Sequence, residues 1–146
     1  MKKMIIGLFC VCFLVSGCTF SSTKEEDKPQ LMDIGVEDAV VKFDKKDSFV
    51  ALVTREKCPF CEQLLKVIDE NSSFLSEDVY NIVMRDDTTE HLKQDIKTLQ
   101  AYVTKPEETP HYYRIENGKV IDSGKGFHPG FPLQFFDWLD ASKQSD

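Results

Sequence analysis

An unbroken apolar run, Phe49-Val50-Ala51-Leu52-Val53, is followed within a few residues by Lys57-Cys58-Pro59-Phe60-Cys61 and then by apolar side chains at Leu64, Leu65, Val67 and Ile68. The run is the mark of a central strand covered on both faces, and the spacing after Pro59 is that of an amphipathic helix. Strand, turn and helix in that order place two cysteines where the helix begins. A Cys-X-X-Cys at a helix start sets its first sulfur against unpaired backbone N–H groups and the positive end of the helix dipole, which favour a thiolate over a thiol. Cys58 is therefore the candidate nucleophile and Cys61 its candidate resolving partner.

The rest of the chain supplies a sheet around this junction. Val36, Ala39, Val40 and Phe43 have helical spacing, Val79 to Met84 reads as a second strand, and Asp86-Asp87-Thr88-Thr89 opens a helix carrying Leu92, Ile96, Leu99 and Tyr102. His111 to Ile115 and Lys119 to Ile121 flank Glu116-Asn117-Gly118, and Asn-Gly between such runs predicts a hairpin. A last helix from about Pro132 to Ser142 would bury Phe135, Phe136, Trp138 and Leu139. The order α-β-α-β-α-β-β-α describes an α/β fold, a central mixed sheet of about four strands flanked by helices on both faces. About 110 residues, 34–146, suffice for one such domain and not for two.

The first residues speak of place. Lys2 and Lys3 precede an apolar stretch from Met4 to Val15, the layout of a secretory signal and short of the roughly 20 residues of a membrane span. Val15-Ser16-Gly17-Cys18 resembles the lipobox of bacterial lipoproteins. That resemblance implies a signal peptide over 1–17, cleavage before Cys18, a diacylglycerol on the Cys18 sulfur, and a lipid-anchored protein at the outer face of a bacterial cell membrane. Residues 18–33 are polar, lack an apolar period, and read as a flexible tether. Of the five cysteines, Cys10 and Cys12 would leave with the signal and Cys18 would carry lipid, so Cys58 and Cys61 would be the thiols of the mature chain. Losing Lys2 and Lys3 takes the net charge from −7 to −9, an acidic balance that argues against nucleic acid as a partner.

With these residues in view, the chain resembles the thioredoxin superfamily over roughly residues 36–142. The likeness rests on Cys58-Pro59-Phe60-Cys61 at the strand-to-helix junction, Thr109-Pro110 opening the hairpin, Asn117-Gly118 within it and Gly126 after it. The lipobox on a short domain narrows it toward lipoprotein thioredoxins of Gram-positive surfaces, including proteins called bacteriocin transport accessory proteins. The resemblance implies a cis Thr109-Pro110 bond beside the redox pair, a Thr109 backbone that pairs with an extended substrate peptide, and a Pro110 that keeps metal off the cysteines. Phe60 and Phe127 are candidates for an apolar rim around a client, and His111 and His128 stand close enough in sequence to tune Cys58. Two departures stand out. The family's buried acid six residues before the nucleophile is Leu52 here, leaving Glu56 and Glu62 as the nearest carboxylates, and Lys57 and Pro59-Phe60 replace the usual aromatic residue and glycine.

Three functions compete. The first is a membrane-tethered thiol-disulfide oxidoreductase with protein or peptide disulfide clients, a membrane redox partner and no cofactor. The second is a non-enzymatic accessory or binding lipoprotein on the same scaffold, for instance in bacteriocin export. The third, a metal site drawing on Cys58, Cys61, His91, His111 and His128, is disfavoured because no two of these histidines stand three to five residues apart. Within the first, Arg55 and Lys57 would reinforce the Cys58 thiolate while Glu56 and Glu62 oppose them, and the reading leans to a reductase or general exchange.

Overall fold

The computed structural model describes residues 28–143. The expected signal peptide and Cys18 lie outside them. Among the described residues no helix is long and apolar enough to cross a membrane.

Among the described residues five strands and four helices follow in the order β1 (Leu31–Ile34), α1 (Val36–Asp44), β2 (Phe49–Arg55), α2 (Pro59–Glu70), β3 (Val79–Met84), α3 (Thr89–Leu99), β4 (His111–Glu116), β5 (Lys119–Lys125) and α4 (Gln134–Ser142), with one 3-10 turn at Ser72–Phe74. The sheet order is β1-β3-β2-β4-β5, with β1, β3 and β2 parallel and β4 and β5 antiparallel to their neighbours. The sheet thus has five strands where the sequence suggested about four. The additional one, β1, covers residues 31–34, so the expected tether of 18–33 gives way to strand at Leu31. Four residues at a sheet edge carry too few side chains to show a period; Leu31 to Ile34 are extended because their backbone pairs with Val79 to Ile82.

Strand alternation sends side chains to two cores. Phe49, Ala51 and Val53 of β2 join Ile82, Met84, Tyr113 and Ile115 beneath α1 and α3. Val50 and Leu52 join Val79, Tyr112, Leu64 and Ile68 beneath α2 and α4, together with Phe135, Phe136 and Leu139. Each such large side chain contributes roughly 1.5–3 kcal/mol on leaving water. Covering on both faces is what makes β2 apolar from Phe49 to Val53.

The termini of the elements follow local chemistry. Thr88 caps α3, its hydroxyl accepting the His91 N–H at 3.1 Å. Asn117 and Gly118 have φ of 49° and 73°, the left-handed pair that a two-residue hairpin turn requires. A side chain at Gly118 would also meet the Phe43 carbonyl oxygen at 2.6 Å, so the turn is closed against the end of α1.

Candidate active site

Cys58 caps α2 and Pro59 fills its first turn, where a missing N–H costs nothing. The Cys58 side chain accepts the Cys61 N–H at 3.2 Å, and Cys58 and Cys61 are joined as a disulfide with Cα atoms 5.2 Å apart. Both are buried, Cys58 with 3% and Cys61 with 1% of its surface exposed. Cys61, Leu64 and Ile68 form the buried stripe of α2.

The second side of the site is the segment ahead of β4. The Thr109-Pro110 bond is cis. The Thr109 hydroxyl donates to Cys58 Sγ at 3.5 Å, and the Thr109 carbonyl oxygen lies 3.7 Å from the same sulfur, placed to accept from a Cys58 thiol. Four ties hold this segment. The Tyr113 hydroxyl donates to the Thr104 carbonyl at 2.6 Å, and His111 Nδ1 lies 3.3 Å from the Lys105 carbonyl. Glu108 sits between Lys105 Nζ at 3.0 Å and Lys125 Nζ at 2.5 Å, and Gly126 N–H donates to the Pro110 carbonyl at 2.7 Å. The hydrogen bonds from Lys125 and Lys105 hold the Glu108 carboxyl at about 2.

The other candidates fall in several places. His111 shares its sheet face with Tyr113 and Ile115, and its ring stacks on Tyr113 with centroids 4.3 Å apart. It therefore points to the α1–α3 side, away from the face that α2 covers. His128 Nδ1 accepts the Gly130 N–H at 3.1 Å, within its own loop. Phe60 is 53% exposed on the first turn of α2, whereas Phe127 packs partly against the core beneath α4. Phe131, 69% exposed, and Leu133 stand out from the loop after Gly126; α4 begins at Gln134, two residues later than the Pro132 expected from the sequence, which leaves Leu133 at its cap. Glu62 is exposed, and Glu56 turns to accept the Asp86 N–H at 3.3 Å, so neither is drawn into the interior beside Cys61. Arg55 Nη1 lies 3.9 Å from Asp86. Among the described residues no group of three or more His, Cys, Asp or Glu is arranged to hold a metal.

Polar residues that the sequence did not single out lie under α2. Thr54 and Asn81 are each 1% exposed, and the Thr54 hydroxyl donates to Asn81 Oδ1 at 2.8 Å while Asn81 Nδ2 donates to Asp33 at 2.8 Å. In the sequence Asn81 lies within the second strand, Thr54 one residue past the apolar run and Asp33 in the segment expected to be tether, with nothing to link them.

Burial pushes the His111 imidazole below its usual 6.5. The unfolded chain takes up this proton first as pH falls, so the unfolded state binds more protons and stability drops as pH descends through about 6.5, levelling off below the folded value. Glu108 acts in a separate window. Its lowered carboxyl stabilises the fold above the usual 4.5 and loses that contribution only toward about 2. Urea midpoints measured between about pH 7.5 and about pH 5 are expected to fall for the wild type and to fall less for His111→Gln.

No family model matches the chain, and no curated protein matches it in sequence. Solved structures do match its shape. Thioredoxin from Trypanosoma brucei brucei aligns with a TM-score of 0.53 at 15% identity, covering 83% of this chain and 97% of that one. Thioredoxin from Aeropyrum pernix gives 0.51 at 14%, covering 76% and 83%, and the disulphide isomerase of Xylella fastidiosa Temecula1 gives 0.50 at 14%, covering 75% and 88%. A five-stranded mixed sheet with helices on both faces, carrying Cys58 and Cys61 where β2 gives way to α2, is thus the thioredoxin fold.

Proposed function

We propose that this chain is an extracytoplasmic, membrane-tethered thiol-disulfide oxidoreductase that exchanges disulfides with exported proteins or peptides through Cys58 and Cys61. One observation carries the reading: the Cys58 sulfur, at the head of α2, receives both the Cys61 N–H and the Thr109 hydroxyl. Two donors and a helix N-terminus all favour negative charge on that atom.

In the reducing direction the Cys58 thiolate attacks a client disulfide, forming a Cys58–client bond and expelling the second client sulfur as a thiolate that takes a proton from water. Cys61 then attacks Cys58 Sγ, the Cys58–client bond breaks, and the client leaves reduced while Cys58 and Cys61 are oxidised to the disulfide. Return to the dithiol needs two electrons from an external dithiol, a membrane thiol carrier in this reading. The reverse sequence oxidises a client. Reduction or general exchange fits better than dedicated oxidation, because the stretch between β3 and β4 holds one helix, α3, and no large client-binding insertion. Thr109 and Pro110 would pair with an extended client backbone, with Phe60 and Phe127 as apolar contacts. The names of the aligned thioredoxins and of the disulphide isomerase agree with this chemistry in kind. The narrower likeness, to bacteriocin transport accessory proteins, would make the clients exported peptides.

Thr109→Val keeps the shape of the side chain and removes one donor to Cys58. The reduced form then loses about one hydrogen bond to its thiolate, so the reduction potential is expected to move about 10–30 mV more negative, measured by equilibration with glutathione. The tether has its own test. Cys18→Ser expressed in a bacterial host is expected to move the chain from the membrane fraction to the soluble one with exchange activity intact; retention in the membrane would rule out Cys18 as the anchor.

A further inference from the structure

The polar chain beneath α2 has a direction. Asp33 as a carboxylate only accepts, so the end of Asn81 that meets it, 2.8 Å away, is the amide nitrogen. The other end, Oδ1, faces Thr54 and can only accept, so the Thr54 hydroxyl spends its single proton on Asn81 at 2.8 Å. What Thr54 offers any further neighbour is a lone pair.

The packing narrows which neighbour that is. Thr54 shares a face with Val50 and Leu52, which pack with Leu64 and Ile68 of α2. β2 runs toward the head of α2 and α2 runs back over it, so of the buried stripe Ile68, Leu64 and Cys61 it is Cys61 that stands nearest the end of the strand, where Thr54 lies; in the disulfide form the Thr54 hydroxyl bonds Asn81 and not the Cys61 sulfur. Both side chains are 1% exposed. The Cys61 N–H is already directed at Cys58 Sγ.

The geometry points to Thr54 as the group that holds the Cys61 sulfur as a thiol in the dithiol form, with Asn81 and Asp33 as positioning residues that fix the direction of its hydroxyl. The site then separates its two sulfurs by hydrogen-bond polarity. Cys58 is met by two donors, the Cys61 N–H and the Thr109 hydroxyl, at 3.2 and 3.5 Å, nearer than the Thr109 carbonyl at 3.7 Å, and the balance favours its thiolate, whereas Cys61 is met by an acceptor, which favours its protonated form. Leu52, one step back along the same face, contributes no ionisable group there. In the resolving step the Cys61 S–H bond breaks, its proton goes to the departing client sulfur, and the Cys58–Cys61 bond forms as the Cys58–client bond breaks.

The inference rests on the exchange reading of the pair, and the test separates the two. The reduced full chain is titrated while the Cβ resonances of Cys58 and Cys61 are followed. The charged groups around the head of α2 that also shape these titrations, Arg55 and Glu56 at the end of β2, Lys57, Glu62 of α2 and Asp86 after β3, stay unchanged in every variant. Asn81→Leu frees the Thr54 hydroxyl to donate to a Cys61 thiolate, and the Cys61 midpoint is expected to fall by about one pH unit with that of Cys58 nearly unmoved. Thr54→Val removes donor and acceptor together and is expected to move the Cys61 midpoint less than Asn81→Leu. Where Asn81→Leu does not fold, Asp33→Asn serves, since Asp33 is exposed and its amide lets Asn81 turn over; the Cys61 midpoint should again fall. An unchanged Cys61 midpoint in the folded variants overturns the role of Thr54. Failure of the wild-type dithiol to reduce oxidised glutathione, with the Cys61 shifts intact, overturns the exchange reading and leaves the polarity of the site standing.

Discussion

Changing Cys61 to serine is expected to turn the chain into a trap for its own clients. Cys58 keeps the head of α2 and the Thr109 hydroxyl, so it still attacks a disulfide, but the covalent complex has no neighbour to resolve it. In the wild type Cys61 is three residues away on the same helix with its Cα 5.2 Å from that of Cys58, so release is intramolecular. A thiol delivered from solution at millimolar concentration competes poorly with one held in place, and release should slow by about a thousandfold or more. Non-reducing gels of cells expressing Cys61→Ser should therefore show mixed disulfides that vanish with reductant, and mass spectrometry of the bands would name the clients. Cys58→Ser should show no such bands and reduce no disulfide. A binding lipoprotein on the same scaffold would retain its partners in both variants, and that result would end the oxidoreductase reading.

The part of the site most readable from sequence is the part built by neighbours in the chain. The strand Phe49–Arg55, the cysteines at the head of α2 and the Asn117-Gly118 turn each depend on a handful of consecutive residues, and periodicity and turn chemistry suffice to place them. What could not be read needs register. β1 exists because Leu31 to Ile34 find the edge of β3, some fifty residues on, and four residues leave no pattern of their own. The Thr54–Asn81–Asp33 chain needs three strands in alignment, Asp33 beside Asn81 and Asn81 beside Leu52, before its members can be seen to share a face. The absence of an acid at Leu52 was plain, but what lies near it instead was not. His111 illustrates the converse. Its position next to Pro110 suggested a role at the sulfur, and strand alternation sends its ring to the other side of the sheet, onto Tyr113.

Glu77→Ala is expected to be the most destabilising surface-adjacent change in the domain, because of where it leaves Arg114. Arg114 lies on β4 in the α2–α4 face with only a tenth of its side chain exposed, among Leu139 and Ser142 of α4. Its Nη1 and Nη2 donate to the two Glu77 oxygens at 3.1 and 2.7 Å, a paired geometry, and its remaining donors reach Ser142 Oγ at 2.9 Å and the Leu139 carbonyl at 3.2 Å. Glu77 precedes β3, so the pair ties three parts of the chain, and Lys143 Nζ adds a weaker contact to it at 3.7 Å. With Glu77 gone, the guanidinium keeps its hydrogen bonds to α4 but loses its paired counter-charge, with only a tenth of its side chain open to water. Removing one partner of such a pair costs about 3–5 kcal/mol, a large share of the roughly 5–15 kcal/mol that holds a domain folded. In a domain near this size the melting temperature should fall by more than about 10 °C. Replacing Arg114 by Met in the same chain removes the stranded charge and fills the space, so the double variant should recover much of the loss. If thermal melts instead show Glu77→Ala within about 1 kcal/mol of the wild type, the pair is held as loosely as an exposed one, and α4 owes its place to Phe135, Phe136 and Leu139 alone.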